Sequence, residues 1–330
     1  MKEVLETIYA QGVLDHQTAY ELMLAMGRGE VAEAQIAALV SALNMRPLQL
    51  QELAGFRQAM LELSTAIDLE GRETVDIVGT GGDGKNTFNI STLASVVVAG
   101  AGYLVTKHGS YGVSSSVGSS DVLMQMGYAF TNDRDDILRR LDHAGLVFLH
   151  APLFHPAMKQ VVPTRKALKV KTFFNVMGPL INPAKPAHQV FGTFSLGLAR
   201  TYQYLLQSDT DRRYRIIHAR DGYDEVSLTG DTEVRDQRGQ SVLSPKDFNL
   251  ARSRPEDLHG GDTAEEGATI FQAVLNNKAS EAQLSVVCAN AALAIQLFKP
   301  DQSLVDCVAE ARESVESGQA REVWEKAVGR

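Results

Sequence analysis

Cysteine is scarce in this sequence: only Cys288 and Cys307 occur in 330 residues. Two cysteines allow one disulfide bond at most, and their spacing does not match that of a zinc site. The sequence therefore predicts neither a disulfide-rich secreted module nor a cysteine-bound metal. We expect a reducing, cytoplasmic environment.

Positive charge is also in deficit. The 32 Lys and Arg residues are outnumbered by 40 Asp and Glu residues, which gives a formal net charge of −8 at pH 7. Extended nucleic acids and anionic membranes attract basic proteins, so neither is an expected partner. The first ten residues lack the apolar core of a signal peptide, and the apolar stretch 94–105 is too short to span a bilayer.

Helical periodicity alone marks the first part of the chain, residues 1–70. From Ala19, apolar residues recur at positions i, i+3, i+4 and i+7, behind a candidate N-cap at Asp15. Further stripes of the same kind follow as far as residue 63. This pattern predicts a small helical domain.

A different pattern begins at Val75, where short strand-like runs alternate with helical ones. The predicted strands are 75–78, 103–106, 146–149, 189–194 and 214–219, and the predicted helices are 91–100, 135–144, 198–207, 280–298 and 303–317. This alternation predicts an α/β domain over residues 74–330, with a mostly parallel central sheet covered on both faces.

A glycine-rich loop, Gly79-Thr-Gly-Gly-Asp-Gly84, directly follows the first predicted strand. It matches the G-x-G-x-x-G pattern of dinucleotide-binding folds, which also place an acidic residue about 20 positions later to bind the ribose. Residues 84–120 contain no Asp or Glu at all. The missing acid argues against a dehydrogenase.

The acid-free stretch is itself informative, because an average segment of its length in this chain would contain about four acidic residues. It carries instead Lys85, Lys107, His108 and eleven Ser or Thr residues. Free backbone N–H groups, hydroxyls, ammonium groups and a helix N-terminus together favour phosphate binding. Asn89-Ile-Ser-Thr92 stands at the predicted helix start, as a cap or as a phosphate or metal site.

Several motifs in order resemble those of the anthranilate phosphoribosyltransferases of tryptophan biosynthesis. They are Gly79-Thr-Gly-Gly-Asp83, Asn89-Ile-Ser-Thr92, Lys107-His-Gly109, Val113-Ser-Ser115, Gly118-Ser-Ser-Asp-Val-Leu123, Pro163-Thr-Arg165, the segment 174–183, Asp224-Glu-Val-Ser227 and Asn290-Ala-Ala292. The likeness covers nearly the whole chain. It implies a Mg²⁺-dependent transferase that forms a homodimer through its helical domain, which helices from about 155–185 would join.

The resemblance also implies roles for individual residues. Phosphoribosyl pyrophosphate would be bound by Gly79, Gly82, Asp83, Thr87, Asn89, Ile90, Ser91, Thr92, Lys107, His108, Gly109, Ser110, Tyr111, Gly112, Val113, Ser114, Ser115 and Ser119. Anthranilate would contact Gly79, His108, Ser110 and Arg165, and Mg²⁺ would be bound by Ser91, Asp224 and Glu225. Because an aromatic amine is neutral near pH 7, no nucleophile or essential base is assigned.

One departure concerns the family pattern Lys-His-Gly-Asn-Arg, since this chain has Ser110 and Tyr111 in the last two positions. The change removes an amide near the acceptor and a positive charge near the phosphates. The sequence is therefore also compatible with a family relative that transfers the phosphoribosyl group to another aromatic or heterocyclic acceptor. The sequence is also compatible with a nucleoside phosphorylase and with a non-catalytic relative that binds nucleic acid.

Overall fold

The computed structural model describes residues 1–112 and 118–329 of the chain. Its α-helices are α1 (Lys2–Tyr9), α2 (His16–Gly27), α3 (Glu33–Leu43), α4 (Leu50–Glu62), α5 (Ile90–Gly100), α6 (Ser119–Gln125), α7 (Arg134–Ala144), α8 (Ala151–Phe154), α9 (Val162–Leu168), α10 (Phe174–Met177), α11 (Leu196–Leu206), α12 (Ala264–Leu275), α13 (Glu281–Phe298), α14 (Leu304–Glu316) and α15 (Gln319–Ala327). Short 3₁₀ helices span Pro156–Gln160, Gly178–Ile181, Pro245–Phe248 and Pro255–Leu258. The strands are β1 (Thr74–Gly79), β2 (Leu104–Gly109), β3 (Leu146–His150), β4 (His188–Gly192), β5 (Arg213–Ala219), β6 (Thr232–Asp236) and β7 (Gly239–Leu243).

The chain divides into two compact units. The helical unit comprises residues 1–67 and 151–185, and the α/β unit comprises residues 68–150 and 186–330. The first unit therefore contains α1–α4 together with α8–α10, from two separate stretches of sequence.

Close helix packing organises the helical unit. The side chain of Asp15 accepts a hydrogen bond of 2.8 Å from the amide of Thr18, so the predicted N-cap of α2 is present. A Cβ atom on Gly55 in α4 would lie 2.4 Å from the carbonyl oxygen of His16, at the start of α2. Only glycine allows the backbones of these two helices to approach so closely.

A seven-stranded sheet with the order β3-β2-β1-β4-β5-β6-β7 forms the centre of the α/β unit. Strands β3, β2, β1, β4 and β5 are parallel, whereas β6 and β7 pair in antiparallel fashion. The predicted mostly parallel sheet is thus confirmed. From β1, successive strands are added first on one side and then, starting with β4, on the other. Ligands of open α/β sheets bind at the carboxyl ends of the strands where this order reverses.

Two apolar helices, α5 and α13, pack together in the core of this unit. Helix α13 has the length and composition of a membrane-crossing helix, but 72% of that segment is buried within the fold. Its apolar surface therefore contacts protein on nearly all sides, as in the core helix of a globular domain.

Two differences from the predicted elements have clear physical causes. The predicted strand 103–106 continues through Lys107 to Gly109, because the lysine is buried and its ammonium group is hydrogen-bonded inside the fold. The antiparallel pair β6–β7 was not predicted. Its sequence is polar, and β7 forms an exposed sheet edge, so it lacks the apolar alternation that identifies a half-buried strand.

A pH-dependent stability is expected from His155 in the helical unit. Burial lowers its pKa to about 4, against an opposing hydrogen bond with the backbone of Ile181. The unfolded chain then binds more protons than the folded one between pH 6.5 and 4, so stability is lost as pH falls through this window. Relative to a His155→Gln variant, wild type should lose about 2 kcal/mol of unfolding free energy between pH 7 and 5.

Urea denaturation at the two pH values measures this difference. Exposed His143 offers the matched control, because His143→Gln makes the same substitution at a solvent-exposed position. Parallel pH profiles for wild type and His155→Gln would contradict the expectation.

Candidate active site

The candidate site lies where the strand order reverses, at the carboxyl ends of β1 and β4. Gly79 and Gly192 face each other in register there, as the last residues of the two strands. The amide of Thr80 donates a 3.0 Å hydrogen bond to the carbonyl oxygen of Gly192, so the glycine-rich loop leaves the sheet directly from this pair.

Both strand-end glycines make room for the segment that carries Asp224. A Cβ atom on Gly79 would lie 2.3 Å from a carboxylate oxygen of Asp224, and one on Gly192 would lie 1.7 Å from its carbonyl oxygen. Any other residue would push the Asp224 segment away from the sheet. The close approach of Asp224 therefore favours glycine at position 79 for steric reasons.

Backbone conformation explains the glycines of the loop itself. Gly81, Gly82 and Gly84 all have positive φ, which other residues adopt only at a cost. This conformation turns the amide of Gly81 toward Asp224, whose carboxylate accepts its hydrogen bond at 2.6 Å.

Glu225 lies at the N-terminus of α5. Its carboxylate accepts a hydrogen bond of 2.9 Å from the amide of Ser91 and a longer one of 3.4 Å from the hydroxyl of Thr87. Asn89, at the N-cap position, makes no capping hydrogen bond with its side chain to the described residues. A carboxylate 134 residues away in sequence therefore accepts the hydrogen bond of a backbone amide at the start of α5, where the helix dipole favours negative charge.

Asn290, within α13, anchors the segment that bears the two carboxylates. Its side-chain oxygen accepts from the amide of Val226 at 3.0 Å, and its side-chain nitrogen donates to the carbonyl of the same residue at 2.8 Å. This two-point contact fixes the backbone next to Glu225. The sequence motif contained Asn290, but its function was not predicted.

Negative charge is concentrated at this point. Burial, followed by repulsion from Asp83, raises the pKa of Asp224, and burial, followed by repulsion from Asp224, raises the pKa of Glu225. One carboxylate oxygen of Asp83 is buried and has no hydrogen-bond partner in the part of the chain that the structure describes. A bound cation would relieve the repulsion among these three groups.

The donor set suits Mg²⁺. Within residues 1–112 and 118–329, no cluster of three or more His, Cys, Asp or Glu side chains forms a ready-made metal cage. Mg²⁺ does not need one, because it retains water molecules and usually binds one or two carboxylates together with substrate phosphates. Asp224 and Glu225 provide such carboxylates, and Ser91 places a hydroxyl at the same helix start.

Lys107 brings a buried positive charge to the same region. Its side chain is 3% exposed, and its Nζ atom donates to the carbonyl of Ile77 at 2.5 Å and approaches the Ser91 hydroxyl at 3.5 Å. Burial lowers the pKa of this ammonium group, and the carboxylates of Asp76 and Glu225 oppose that shift.

His108, the next residue, has its side chain on the opposite face of β2, because side chains alternate along a strand. Its amide donates to the carboxylate of buried Asp76 at 3.2 Å, which also accepts from the side chain of Gln189 at 3.2 Å. These bonds fix the peptide that joins Lys107 to His108. A direct contact of His108 with a substrate remains a prediction.

The segment after β2 folds back on the start of α6. The carbonyl of Ser110 accepts from the amide of Ser120 at 3.2 Å and from the hydroxyl of Ser119 at 3.3 Å. Lys107 and Gly109 line one small pocket here together with both serines. The predicted residues Val113, Ser114 and Ser115 lie outside the described part of the chain.

The remaining predicted residues differ in their surroundings. Ile90 is fully buried in the apolar core, so only its backbone is suited to a polar ligand. Thr92 has a buried hydroxyl that lacks a hydrogen-bond partner among residues 1–112 and 118–329, as does Thr80, which was not predicted. Lys85, one of the cations of the acid-free stretch, places its ammonium 4.6 Å from the ring centre of Tyr223.

Arg165 belongs to the helical unit, whereas the other described residues of the predicted set belong to the α/β unit. It lies in α9, partly buried, with its guanidinium 5.6 Å from the ring centre of Phe174. Burial lowers the pKa of Arg165, but a guanidinium remains charged at neutral pH.

Comparisons with known proteins agree with this geometry. The family model described as "Glycosyl transferase family, a/b domain" matches residues 71–321, and the one described as "Glycosyl transferase family, helical bundle domain" matches residues 2–64. The chain is 50% identical to the anthranilate phosphoribosyltransferase of Cytophaga hutchinsonii over 328 residues, covering 99% of this chain and all of that protein. It belongs to the anthranilate phosphoribosyltransferase family.

Further members are similar over their whole length. The anthranilate phosphoribosyltransferase of Bacteroides fragilis is 44% identical, covering 99% of both chains. The crystal structure of the Thermus thermophilus enzyme matches with a TM-score of 0.91 at 34% identity, covering 99% of this chain and 98% of that one. The Saccharomyces cerevisiae enzyme in complex with phosphoribosyl pyrophosphate and Mg matches with a TM-score of 0.91 at 26% identity, covering 99% and 96%. The family resemblance noted in the motifs is thereby confirmed.

A steric prediction concerns Gly192. In a Gly192→Ala variant, the new methyl group would collide with the Asp224 carbonyl, so the unfolding free energy should fall by about 2–3 kcal/mol. Gly197→Ala is the matched control, because a Cβ atom there would have no described neighbour within 4 Å. Thermal and urea denaturation of both variants measure the difference, and equal stabilities would contradict the close approach.

Proposed function

We propose that this protein transfers the phosphoribosyl group of 5-phosphoribosyl 1-pyrophosphate to the amine of anthranilate. The products are N-(5-phosphoribosyl)anthranilate and pyrophosphate, and the reaction belongs to tryptophan biosynthesis in the cytoplasm. The amine nitrogen bonds to C1 of the ribose while the bond from C1 to the pyrophosphate oxygen breaks, and the amine loses a proton. The convergence of Asp224, Glu225, the glycine loop and Lys107 at one strand-end site carries the proposal.

Stabilisation of a highly charged leaving group is the main demand of this reaction. Mg²⁺ would be bound by Asp224, Glu225 and Ser91, and when bound it neutralises charge that develops on pyrophosphate. The amide of Gly81 donates to Asp224 and the amide of Ser91 donates to Glu225, so both carboxylates are held in place for the metal. The side-chain nitrogen of Lys107 adds a hydrogen-bond donor beside Ser91.

Recognition of the substrates is assigned to the remaining residues. Gly79, Gly82, Asp83, Thr87, Asn89–Thr92, Lys107–Ser115 and Ser119 would bind phosphoribosyl pyrophosphate, and Gly79, His108, Ser110 and Arg165 would bind anthranilate. A guanidinium such as that of Arg165 can grip the anthranilate carboxylate with two parallel hydrogen bonds. Since the aromatic amine is already neutral, orientation rather than a strong base would supply much of the rate. The homodimer that the resemblance implies also remains a proposal.

The activity can be measured directly. Protein mixed with Mg²⁺, phosphoribosyl pyrophosphate and anthranilate should consume anthranilate, seen as a loss of its fluorescence. Asp224→Asn should lower kcat/KM on the order of 100-fold or more, because it removes a charged metal ligand while its amide oxygen can still accept from Gly81. Exposed Asp301 provides the control variant Asp301→Asn, which should behave as wild type. Turnover that survives both chelation of Mg²⁺ and Asp224→Asn would refute the metal assignment.

The second candidate function is the same transfer to a different aromatic or heterocyclic acceptor, and the Ser110-Tyr111 departure favours it. Under the first proposal, by contrast, Ser110 replaces the usual asparagine amide through its hydroxyl or a bridging water. Wild type and Ser110→Asn should then both use anthranilate, with kcat/KM values within about tenfold of each other. Turnover of anthranilate by Ser110→Asn alone would instead establish a different natural acceptor.

A further inference from the structure

A buried histidine, His150, lies beside the phosphoribosyl site without a role in the function proposed above. It ends β3 and pairs in register with Gly109, two residues after Lys107 on β2. Its Nδ1 atom shares a 2.9 Å hydrogen bond with the hydroxyl of Ser120. His150 also lines the small pocket whose wall includes Lys107.

Two aromatic rings fix the plane of the His150 imidazole. Phe130 stacks on it with a centroid distance of 4.7 Å and an interplanar angle of 25°. Tyr111 meets it edge-on, with a centroid distance of 4.7 Å and an angle of 83°. Tyr111 is itself 45% exposed, and its contact with His150 restrains the orientation of its ring. Edge-to-face contacts of this kind are favourable and directional.

Tyr111 and Ser120 come from the two chain segments that flank residues 113–117. One carboxylate oxygen of Asp121 accepts from the amide of Gly112 at 3.1 Å and from the amide of Gly118 at 2.8 Å. A Cβ atom on Gly118 would lie 2.0 Å from the Gly112 amide nitrogen, so the two segments are in close contact. His150, which belongs to neither segment, touches both.

We propose that His150 is a positioning residue for phosphoribosyl pyrophosphate, which acts by holding Tyr111 and, through Ser120, the adjacent Ser119 in their binding orientation. The inference rests on the proposed function. It also accounts for the departure at position 111: an aromatic ring anchored on His150 stands where the family pattern has arginine. Burial lowers the pKa of His150, against an opposing effect of Asp121, so the imidazole acts as a neutral hydrogen-bonding group at neutral pH.

Two variants separate the contacts of His150. His150→Phe keeps an aromatic ring against Phe130 and Tyr111 but loses the hydrogen bond to Ser120, whereas His150→Asn keeps a polar atom near Ser120 and loses the ring. His143→Phe, on the exposed face of α7, is the control for His150→Phe. Each variant is first checked for native circular dichroism and cooperative melting.

Calorimetric titration of the full-length protein with phosphoribosyl pyrophosphate and Mg²⁺ is the decisive measurement. His150→Phe should weaken binding about 5–10-fold relative to wild type and to His143→Phe, the loss expected for one positioning hydrogen bond. KM for phosphoribosyl pyrophosphate should rise similarly, while kcat and KM for anthranilate change less than about twofold. Ser120→Ala should add little to the effect of His150→Phe, because both remove the same bond.

The possible results distinguish a failure of the role proposed for His150 from a failure of the proposed function. Equal affinity of folded His150→Phe and His143→Phe, or fully additive effects of Ser120→Ala and His150→Phe, would overturn the role of His150. Wild-type protein that binds phosphoribosyl pyrophosphate but does not consume anthranilate would overturn the proposed acceptor only, because the binding comparison still tests His150. A wild-type protein that binds no phosphoribosyl pyrophosphate would overturn both proposals.

Discussion

Two adjacent buried carboxylates, Asp224 and Glu225, impose the constraint around which the α/β unit is arranged. Each carboxylate accepts a hydrogen bond from a backbone amide, that of Gly81 for one and that of Ser91 for the other. Burial nevertheless raises the pKa of both groups, because amide dipoles offset only part of the cost of burying charge. The proposed Mg²⁺ would offset this cost, and it would also attract the proposed anionic substrate.

The backbone around Asp224 and Glu225 holds these carboxylates close to the strand ends, and a neighbouring stretch of the sequence adds no further acidic residue. Gly79 and Gly192 let the Asp224 segment contact the strand ends, and Asn290 fixes it from the core helix α13. Over residues 84–120 the chain carries hydroxyls and lysines but no acid. Acidic residues elsewhere set the net charge, which is why an overall charge of −8 is compatible with a site that binds phosphates.

The sequence revealed the fold class and the chemistry of the site more completely than its supporting contacts. The alternation of short strand-like runs with helical ones indicated the mostly parallel sheet, and missing acids next to a glycine-rich loop indicated phosphates rather than a dinucleotide. Long-range contacts were not predictable from the sequence. The hydrogen bond between Glu225 and the start of α5 joins residues 134 positions apart, and the hydrogen bonds between Asn290 and Val226 join residues 64 positions apart. The strand end at Lys107 was misplaced because local pattern treats lysine as exposed, whereas this one is buried with a hydrogen-bond partner.

The path of the chain between the two units has its own consequence. Residues 151–185, which connect β3 to β4, belong to the helical unit, so the reversal of strand order in the sheet is made by an excursion out of the α/β unit. During synthesis, the first 67 residues emerge without the partners that complete their unit. Those partners emerge only after three strands of the sheet, and β4 and β5 follow later still. Neither unit is therefore complete on the ribosome before part of the other has been synthesised, and no single cut in the chain would release either one intact.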